Sequence, residues 1–170
     1  MSQYANLGKS LGRTGMLTVI FFFVFVALAF AASPAVTGAV GRLLGHDEVA
    51  LRLAGFVWGA VPWLVGVAIL IKVRRKNRRP WMAYGCILWM LSGLLLVPVG
   101  AGHRFSPVVR VDADLLAFAW ICSMIAGVVA LGVSSAILPA AKSKKGLPAT
   151  GLAIAWTVTM GLGGLAALFG

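Results

Sequence analysis

The chain has 170 residues, of which 61% are hydrophobic and 11% are charged, and its mean hydropathy is +0.98. Soluble domains contain about 25% charged residues and roughly 45–50% apolar residues, so this composition excludes an ordinary soluble protein. Membrane crossings of about 20 residues each would use most of the length. The loops are then too short for a separate soluble domain, which excludes most classes of soluble enzyme.

Five apolar runs follow one another along the chain, and each is long enough to cross a bilayer as a helix. They predict an all-α, polytopic integral membrane protein with a single transmembrane domain. The predicted bundle has about five transmembrane helices, at residues 14–33, 50–72, 81–101, 113–139 and 147–169.

The segment after the first span carries helix-boundary signals of its own. Ser33 is a suitable N-cap, Pro34 suits the first helical position, and Gly45 is a suitable C-cap. These signals predict a short interfacial helix on the outer surface. The apolar run also ends in an A-x-A pattern at 29–31 that resembles a signal-peptide cleavage site. Cleavage there would leave four spans, and we expect the first span to be retained.

The net charge of +11 would suggest a nucleic-acid partner in a soluble protein, but the position of the charges matters more here. Eleven of the 15 Lys and Arg residues precede the first span or lie in the loops at 72–80 and 140–146. Because basic residues in short loops stay in the cytoplasm, the pattern predicts a cytoplasmic N-terminus and an outer C-terminus. The expected location is a plasma membrane of the bacterial inner type.

The loop at 72–80 is chiefly a topology signal, and it is also a candidate site for anionic lipid or an acidic partner. Its basic residues are Lys72, Arg74, Arg75, Lys76, Arg78 and Arg79. We expect membrane lipids as partners, together with other membrane protein subunits or further copies of the chain, and we do not expect nucleic acid.

Small residues recur every three or four positions in three of the spans, where they would let helix backbones approach closely in lipid. The predicted packing positions are Gly55 and Gly59 in span two, Ser123, Gly127, Ala130 and Ser134 in span four, and Gly151, Ala155, Thr159 and Gly163 in span five. These faces either seal the bundle internally or dock onto another subunit, and the sequence leaves both alternatives open.

All four acidic residues and both histidines lie on the predicted outer side of the membrane. His46, His103, Asp112 and Asp114 could together bind zinc, copper or another divalent cation. However, acids also stabilise the positive end of a helix dipole. We therefore expect Asp47 to cap span two and the two later aspartates to begin span four. An ion-paired, solvated rim is the main interpretation, with a metal or acid–base site as the alternative.

Three functional hypotheses remain. The first is a non-catalytic subunit of a larger plasma-membrane complex, such as secretion, respiratory or envelope machinery. The second is a small oligomeric channel or carrier for a neutral solute, using the kink that Pro62 introduces into span two. The third is a metal-binding or catalytic membrane protein that acts through His46 and His103 at the outer face. No titratable residue lies in the middle of a span and no cofactor motif is present, so we favour the first hypothesis and predict no resident cofactor.

Overall fold

The structure is a computed structural model that describes residues 2–72, 80–97, 106–141 and 148–170. Within these ranges the chain is all-helical, as predicted, without β-strands. The elements are α1 (Ser2–Leu43), α2 (Glu48–Lys72), α3 (Pro80–Ser92), a 3₁₀ helix (Gly93–Leu96), α4 (Pro107–Ala141) and α5 (Pro148–Phe169). Four of these helices, α1, α2, α4 and α5, contain a segment long and apolar enough to cross a membrane. The all-helical class is therefore confirmed, and four helices are long and apolar enough for a multi-pass membrane protein.

Helix α1 has 42 residues and continues through Pro34. The prediction of a separate interfacial helix beginning at Ser33 is therefore wrong. Ser33 caps no helix, because its hydroxyl donates a hydrogen bond to the carbonyl oxygen of Val97 at 3.3 Å. The Thr37 hydroxyl donates to the Ser33 carbonyl at 2.7 Å. The helix continues although Pro34 has no N–H to donate to the Phe30 carbonyl one turn earlier.

The third predicted span, 81–101, is only partly a regular α-helix. Helix α3 ends at Ser92 and continues as the 3₁₀ helix, after which Val97 is extended. A Cβ on Gly93 would overlap the Trp120 indole of α4. The chain tightens into 3₁₀ geometry where it passes over this ring. Residues 98–101 of the predicted span lie outside the described residues.

Helix α4 begins at Pro107 rather than at 113. Ser106 caps it: its hydroxyl oxygen accepts the Val109 N–H at 3.4 Å and its carbonyl accepts the Arg110 N–H at 2.9 Å. Asp112 therefore lies inside the helix, as does Asp114, and the expectation that these two acids begin it is wrong. The cap lies further upstream because a Ser-Pro pair supplies both the capping oxygen and a residue that needs no hydrogen-bond acceptor at the first position.

Helix α4 lies at the centre of the bundle and contacts α1, α2, α5 and the 3₁₀ helix. Near the turn that joins α1 to α2, which we call the His46 end, one buried cluster contains Leu51, Leu96 and Leu116. Further along α4 a second cluster forms around Trp156, with Ala60, Ala126, Ala130 and Met160. The small alanine side chains of α4 thus allow the neighbouring helices and their aromatic rings to pack closely against α4.

Candidate functional site

The turn between α1 and α2 contains two consecutive residues with left-handed backbone, Gly45 at φ +64° and His46 at φ +57°. The His46 N–H donates to the Gly41 carbonyl at 2.8 Å, and the Gly45 N–H donates to the Arg42 carbonyl at 3.3 Å. These two bonds form a Schellman helix end, and Gly45 is the C-cap residue that the sequence predicts.

His46 turns back onto α4, where its Nδ1 lies 2.7 Å from Oδ2 of Asp112. The Asp112 side chain is 4% exposed and that of His46 is 39% exposed, so the imidazole covers a carboxylate that is withdrawn from solvent. Gly41 makes room for the contact, because a Cβ there would overlap the Asp112 carboxylate. The contact also holds His46 in a backbone conformation that costs a non-glycine residue roughly 1–2 kcal/mol.

The predicted metal site is assembled only in part. The structure brings His46 and Asp112 together, while Asp114 is exposed and lies about 200° further around α4 than Asp112. His103 lies outside the described residues. In the described part of the chain, no group of three His, Cys, Asp or Glu side chains is arranged to hold a metal ion. The His46–Asp112 pair acts as a clamp between the α1–α2 turn and α4.

The start of α2 carries a second set of polar contacts, of which sequence reasoning missed the one to α5. Asp47 caps the helix as predicted, since its carboxylate accepts the Ala50 N–H at 2.8 Å. One turn later, Arg52 pairs with Glu48 at 2.8 Å, and its Nη1 donates to the Ala167 carbonyl of α5 at 3.2 Å. A cation at this carbonyl interacts favourably with the negative end of the α5 dipole.

Arg52 also connects to α4. Its guanidinium carbon lies 5.9 Å from the centre of the Phe118 ring, which is cation–π distance. Its Nε is buried without a hydrogen-bond partner among the described residues. Arg52 therefore ties α2 to α4 and α5 at the His46 end. Apart from the spacing to Glu48, the sequence carries no signal for this role, because each of the last carbonyls of α5 offers the same backbone acceptor.

The predicted packing residues of span two lie on the contact between α2 and α4. A Cβ on Gly55 would overlap the Leu116 carbonyl oxygen, which is backbone and cannot rotate away. A Cβ on Gly59 would overlap the Ser123 hydroxyl oxygen. The absence of side chains at these two positions brings α2 into contact with the α4 backbone at Gly55 and with α4 side chains at Gly59.

Two of the remaining predicted positions of α4, Gly127 and Ser134, meet tryptophan side chains. Gly127 lies against the Trp63 indole ring, and Ala130 is fully buried. The Ser134 hydroxyl oxygen accepts the Trp156 indole N–H at 2.9 Å and donates to the Ala130 carbonyl at 2.7 Å. The rings of Trp63 and Trp156 are 6.2 Å apart, so this part of the bundle is filled by aromatic side chains.

Two of the four predicted positions of α5, Thr159 and Gly163, border a surface groove. The other two, Gly151 and Ala155, are partly buried nearer the start of the helix. The groove has a volume of about 320 Å³ and is lined by Cys122, Ala126 and Val129 of α4 and by Thr159, Gly163 and Ala166 of α5, among others. We call it the α4–α5 groove. It is apolar and open to the surface of the bundle.

Among the side chains of α1 that the structure describes, those toward the His46 end pack most closely on the rest of the chain. Toward the His46 end its buried face contains Ala29, Ser33, Thr37 and Gly41. By helical spacing, the same face continues toward the N-terminus with Val19, Phe22 and Val26, which we call the bare α1 face. Val19 is 53% and Phe22 is 43% exposed, and Val26 is partly buried.

The predicted basic site is described at one residue only. Lys72 is the last residue of α2, whereas Arg74, Arg75, Lys76, Arg78 and Arg79 lie outside the described residues. Lipid or partner binding by this loop stays a prediction.

No protein-family model matches the chain, and no curated protein or solved structure is significantly similar to it.

Proposed function

We propose that the chain is a non-catalytic, membrane-embedded subunit of a larger plasma-membrane assembly. The bare α1 face carries this proposal. A single face of α1 packs on protein between Ala29 and Gly41 and is uncovered at Val19 and Phe22. A helix from a neighbouring protein would pack on the uncovered part of this face. It would use the same helical spacing of residues by which the covered part already packs within the chain.

The geometry at the centre and at the His46 end favours this proposal over the other two hypotheses. The described core is filled by the Trp63 and Trp156 rings and by buried alanines, whereas a solute path needs aligned polar side chains. His46, the candidate base at the outer face, is engaged by Asp112. Neither the carrier hypothesis nor the outer-face enzyme hypothesis has a specific observation in its favour.

We also propose that the chain crosses the membrane five times, with a cytoplasmic N-terminus and an outer C-terminus. Helix α3 and the 3₁₀ helix together would extend about 28 Å, close to the roughly 30 Å thickness of a bilayer core. Under this topology, the basic loops would face the anionic lipid headgroups of a bacterial inner membrane.

Reporter fusions at Gly170 test the topology. Five crossings from a cytoplasmic N-terminus predict an active alkaline phosphatase fusion and a dark green-fluorescent-protein fusion. The reverse pattern would place the C-terminus in the cytoplasm, which requires either an even number of crossings or an outer N-terminus, and either result would overturn the proposal.

The subunit proposal is tested by purification in nanodiscs from the native host, followed by native mass spectrometry. We expect stoichiometric partner chains, and Phe22→Ala should reduce their recovery. Phe21→Ala is the matched control, because Phe21 is also exposed but lies about 100° around the helix. A wild-type chain recovered as a lone monomer, or equal losses in the two variants, would overturn the proposal.

A further inference from the structure

The α4–α5 groove ends beside the guanidinium of Arg52. The Phe118 ring, whose centre lies 5.9 Å from the Arg52 guanidinium carbon, belongs to the turn of α4 before Cys122. Phe118 and Cys122 are about 40° apart around the helix, so they share a side of α4. On α5, Ala166 lines the groove, and the carbonyl of the next residue, Ala167, accepts a hydrogen bond from Arg52. Both walls of the groove therefore lead to the same cation at the His46 end.

The body of the groove suits hydrocarbon. Its lining is apolar apart from the Thr159 hydroxyl and the Cys122 thiol. The Thr159 hydroxyl donates to the Ala155 carbonyl at 2.7 Å, so its proton is not available to a ligand. The groove is open to the surface of the bundle, and both of its helices are long and apolar enough to cross a membrane. In a bilayer it would therefore meet lipid acyl chains.

Arg52 has one hydrogen-bonding edge that is only half used. In a planar guanidinium, the N–H bonds of Nε and Nη2 point the same way and together match two oxygens of one carboxylate or phosphate. Nη2 pairs with Glu48 at 2.8 Å, whereas Nε is buried without a hydrogen-bond partner among the described residues. The Glu48 side chain is 63% exposed, so its carboxylate can rotate away and leave the whole edge to a phosphate.

The charges around this edge favour a headgroup that carries an ammonium as well as a phosphate. When Glu48 leaves Arg52, its carboxylate needs another cation close by. Asp47, the preceding residue, and the negative end of the α5 dipole add further negative charge. These charges would repel a headgroup with a net negative charge. An ethanolamine headgroup instead carries its ammonium on a short arm beyond the phosphate, where it can pair with Glu48.

We infer that the α4–α5 groove and Arg52 form a binding site for one phospholipid with an ethanolamine headgroup. One acyl chain lies in the groove, the phosphate binds the Nε–Nη2 edge of Arg52, and the ammonium pairs with Glu48. The ion pair between Arg52 and Glu48 is exchanged for two ion pairs across the headgroup, so each side chain keeps a partner. The lipid belongs to the leaflet at the His46 end.

Lipid retention in native mass spectrometry tests this site. The chain is reconstituted in nanodiscs that contain equal amounts of phosphatidylethanolamine, phosphatidylglycerol and phosphatidylcholine with identical acyl chains, and is then transferred to mild detergent. We expect one phosphatidylethanolamine to stay bound in preference to the other two lipids. Phosphatidylcholine carries a trimethylated ammonium without an N–H donor for Glu48. Equal retention of the three lipids, or a preference for the anionic one, would overturn the inference.

Two substitutions test the headgroup contacts. Glu48→Gln should abolish the preference for phosphatidylethanolamine over phosphatidylcholine, and a preference that survives it contradicts the site. Arg52→Lys keeps the charge but lacks the edge with two donors. It should lower phosphatidylethanolamine retention roughly tenfold, the factor for one charge-assisted hydrogen bond. Arg110→Lys is the matched control, because Arg110 is exposed and lies about 120° around α4 from Cys122. Equal retention in the two lysine variants also contradicts the site.

A groove-filling variant tests the position of the acyl chain. Ala166 lines the groove and is exposed, so Ala166→Phe should lower phosphatidylethanolamine retention. Gly161→Phe is the control on the same helix, because an added Cβ there meets nothing within 4 Å. Thermal unfolding of the lipid-free protein should be similar in both variants. Undiminished retention with Ala166→Phe would mean that the acyl chain lies elsewhere, and the inference would fail.

This inference does not depend on the proposed subunit role, and the two can fail separately. Equal retention of the three lipids by a chain that still co-purifies with stoichiometric partners overturns the lipid site alone. A lone monomer that retains phosphatidylethanolamine overturns the subunit role alone.

Discussion

The contact between Gly55 and α4 gives the sharpest prediction about stability. Replacing Gly55 by alanine adds a Cβ that overlaps the Leu116 carbonyl oxygen and lies 3.0 Å from the Leu116 Cα. Since these are backbone atoms, only separation of α2 from α4 relieves the overlap. Gly66→Ala is the matched control on the same helix, because a Cβ at Gly66 meets nothing within 4 Å.

The magnitude follows from two opposing effects. Alanine is favoured over glycine in a helix by about 0.5–1 kcal/mol, and both variants gain this contribution. Overpacking costs about 1–3 kcal/mol, and a gap of 0.5–1 Å along the contact loses a quarter to a half of the local dispersion energy. We therefore expect Gly66→Ala to be neutral or stabilising and Gly55→Ala to be less stable than it by about 1–3 kcal/mol.

The measurement is reversible unfolding of both variants in mixed detergent micelles, followed by tryptophan fluorescence. The indole of Trp120 lies one helical turn from Leu116 and reports on the same contact. Equal unfolding free energies for the two variants would refute the reasoning, because they would mean that α2 and α4 do not meet at backbone distance.

Three further substitutions test the polar contacts. His46→Ala leaves the Asp112 carboxylate buried without this partner and should lower the unfolding free energy by about 1–3 kcal/mol. Adding Asp112→Asn should recover part of this loss of stability. No recovery in the double variant would contradict the clamp between His46 and Asp112. Ser134→Ala removes the acceptor of the Trp156 indole N–H and should cost about 0.6–2 kcal/mol in the same assay, with an unchanged value counting against the bond. Arg52→Leu removes the side-chain donor near the end of α5, so hydrogen exchange should accelerate in the last turn of that helix and stay unchanged in its first turns.

The helical class could be predicted from the sequence because apolar runs of sufficient length have few alternatives in a membrane. Helix boundaries could not be predicted equally well. Ser33-Pro34 and Ser106-Pro107 carry the same local signal, yet only the second pair begins a helix. At the first pair the Ser33 hydroxyl bonds to Val97, 64 residues away, and a local pattern contains no information on so distant a partner.

The candidate sites show the same limit. Asp47 caps α2 through a bond three residues away, within the reach of a local rule. Asp112 was expected to cap a helix and instead meets His46, 66 residues before it. The bond from Arg52 to α5 spans 115 residues. In each case the residue type indicated a polar contact near a helix end, whereas the partner depends on how the helices are arranged.

The long-range contacts of α1 also set an order of events during synthesis. Among the described residues, α1 and the turn after it have two polar side-chain links to later elements, from Ser33 to Val97 and from His46 to Asp112, which join residues 64 and 66 apart. At 5–20 residues per second, the ribosome would need roughly 3–13 s to make these partners after α1 has been made. During that interval α1 must remain in the bilayer without them. The apolar segment of α1 has the highest mean hydropathy of the four segments that are long enough to cross a membrane. High hydropathy keeps a helix stable in the bilayer before its packing partners have been made.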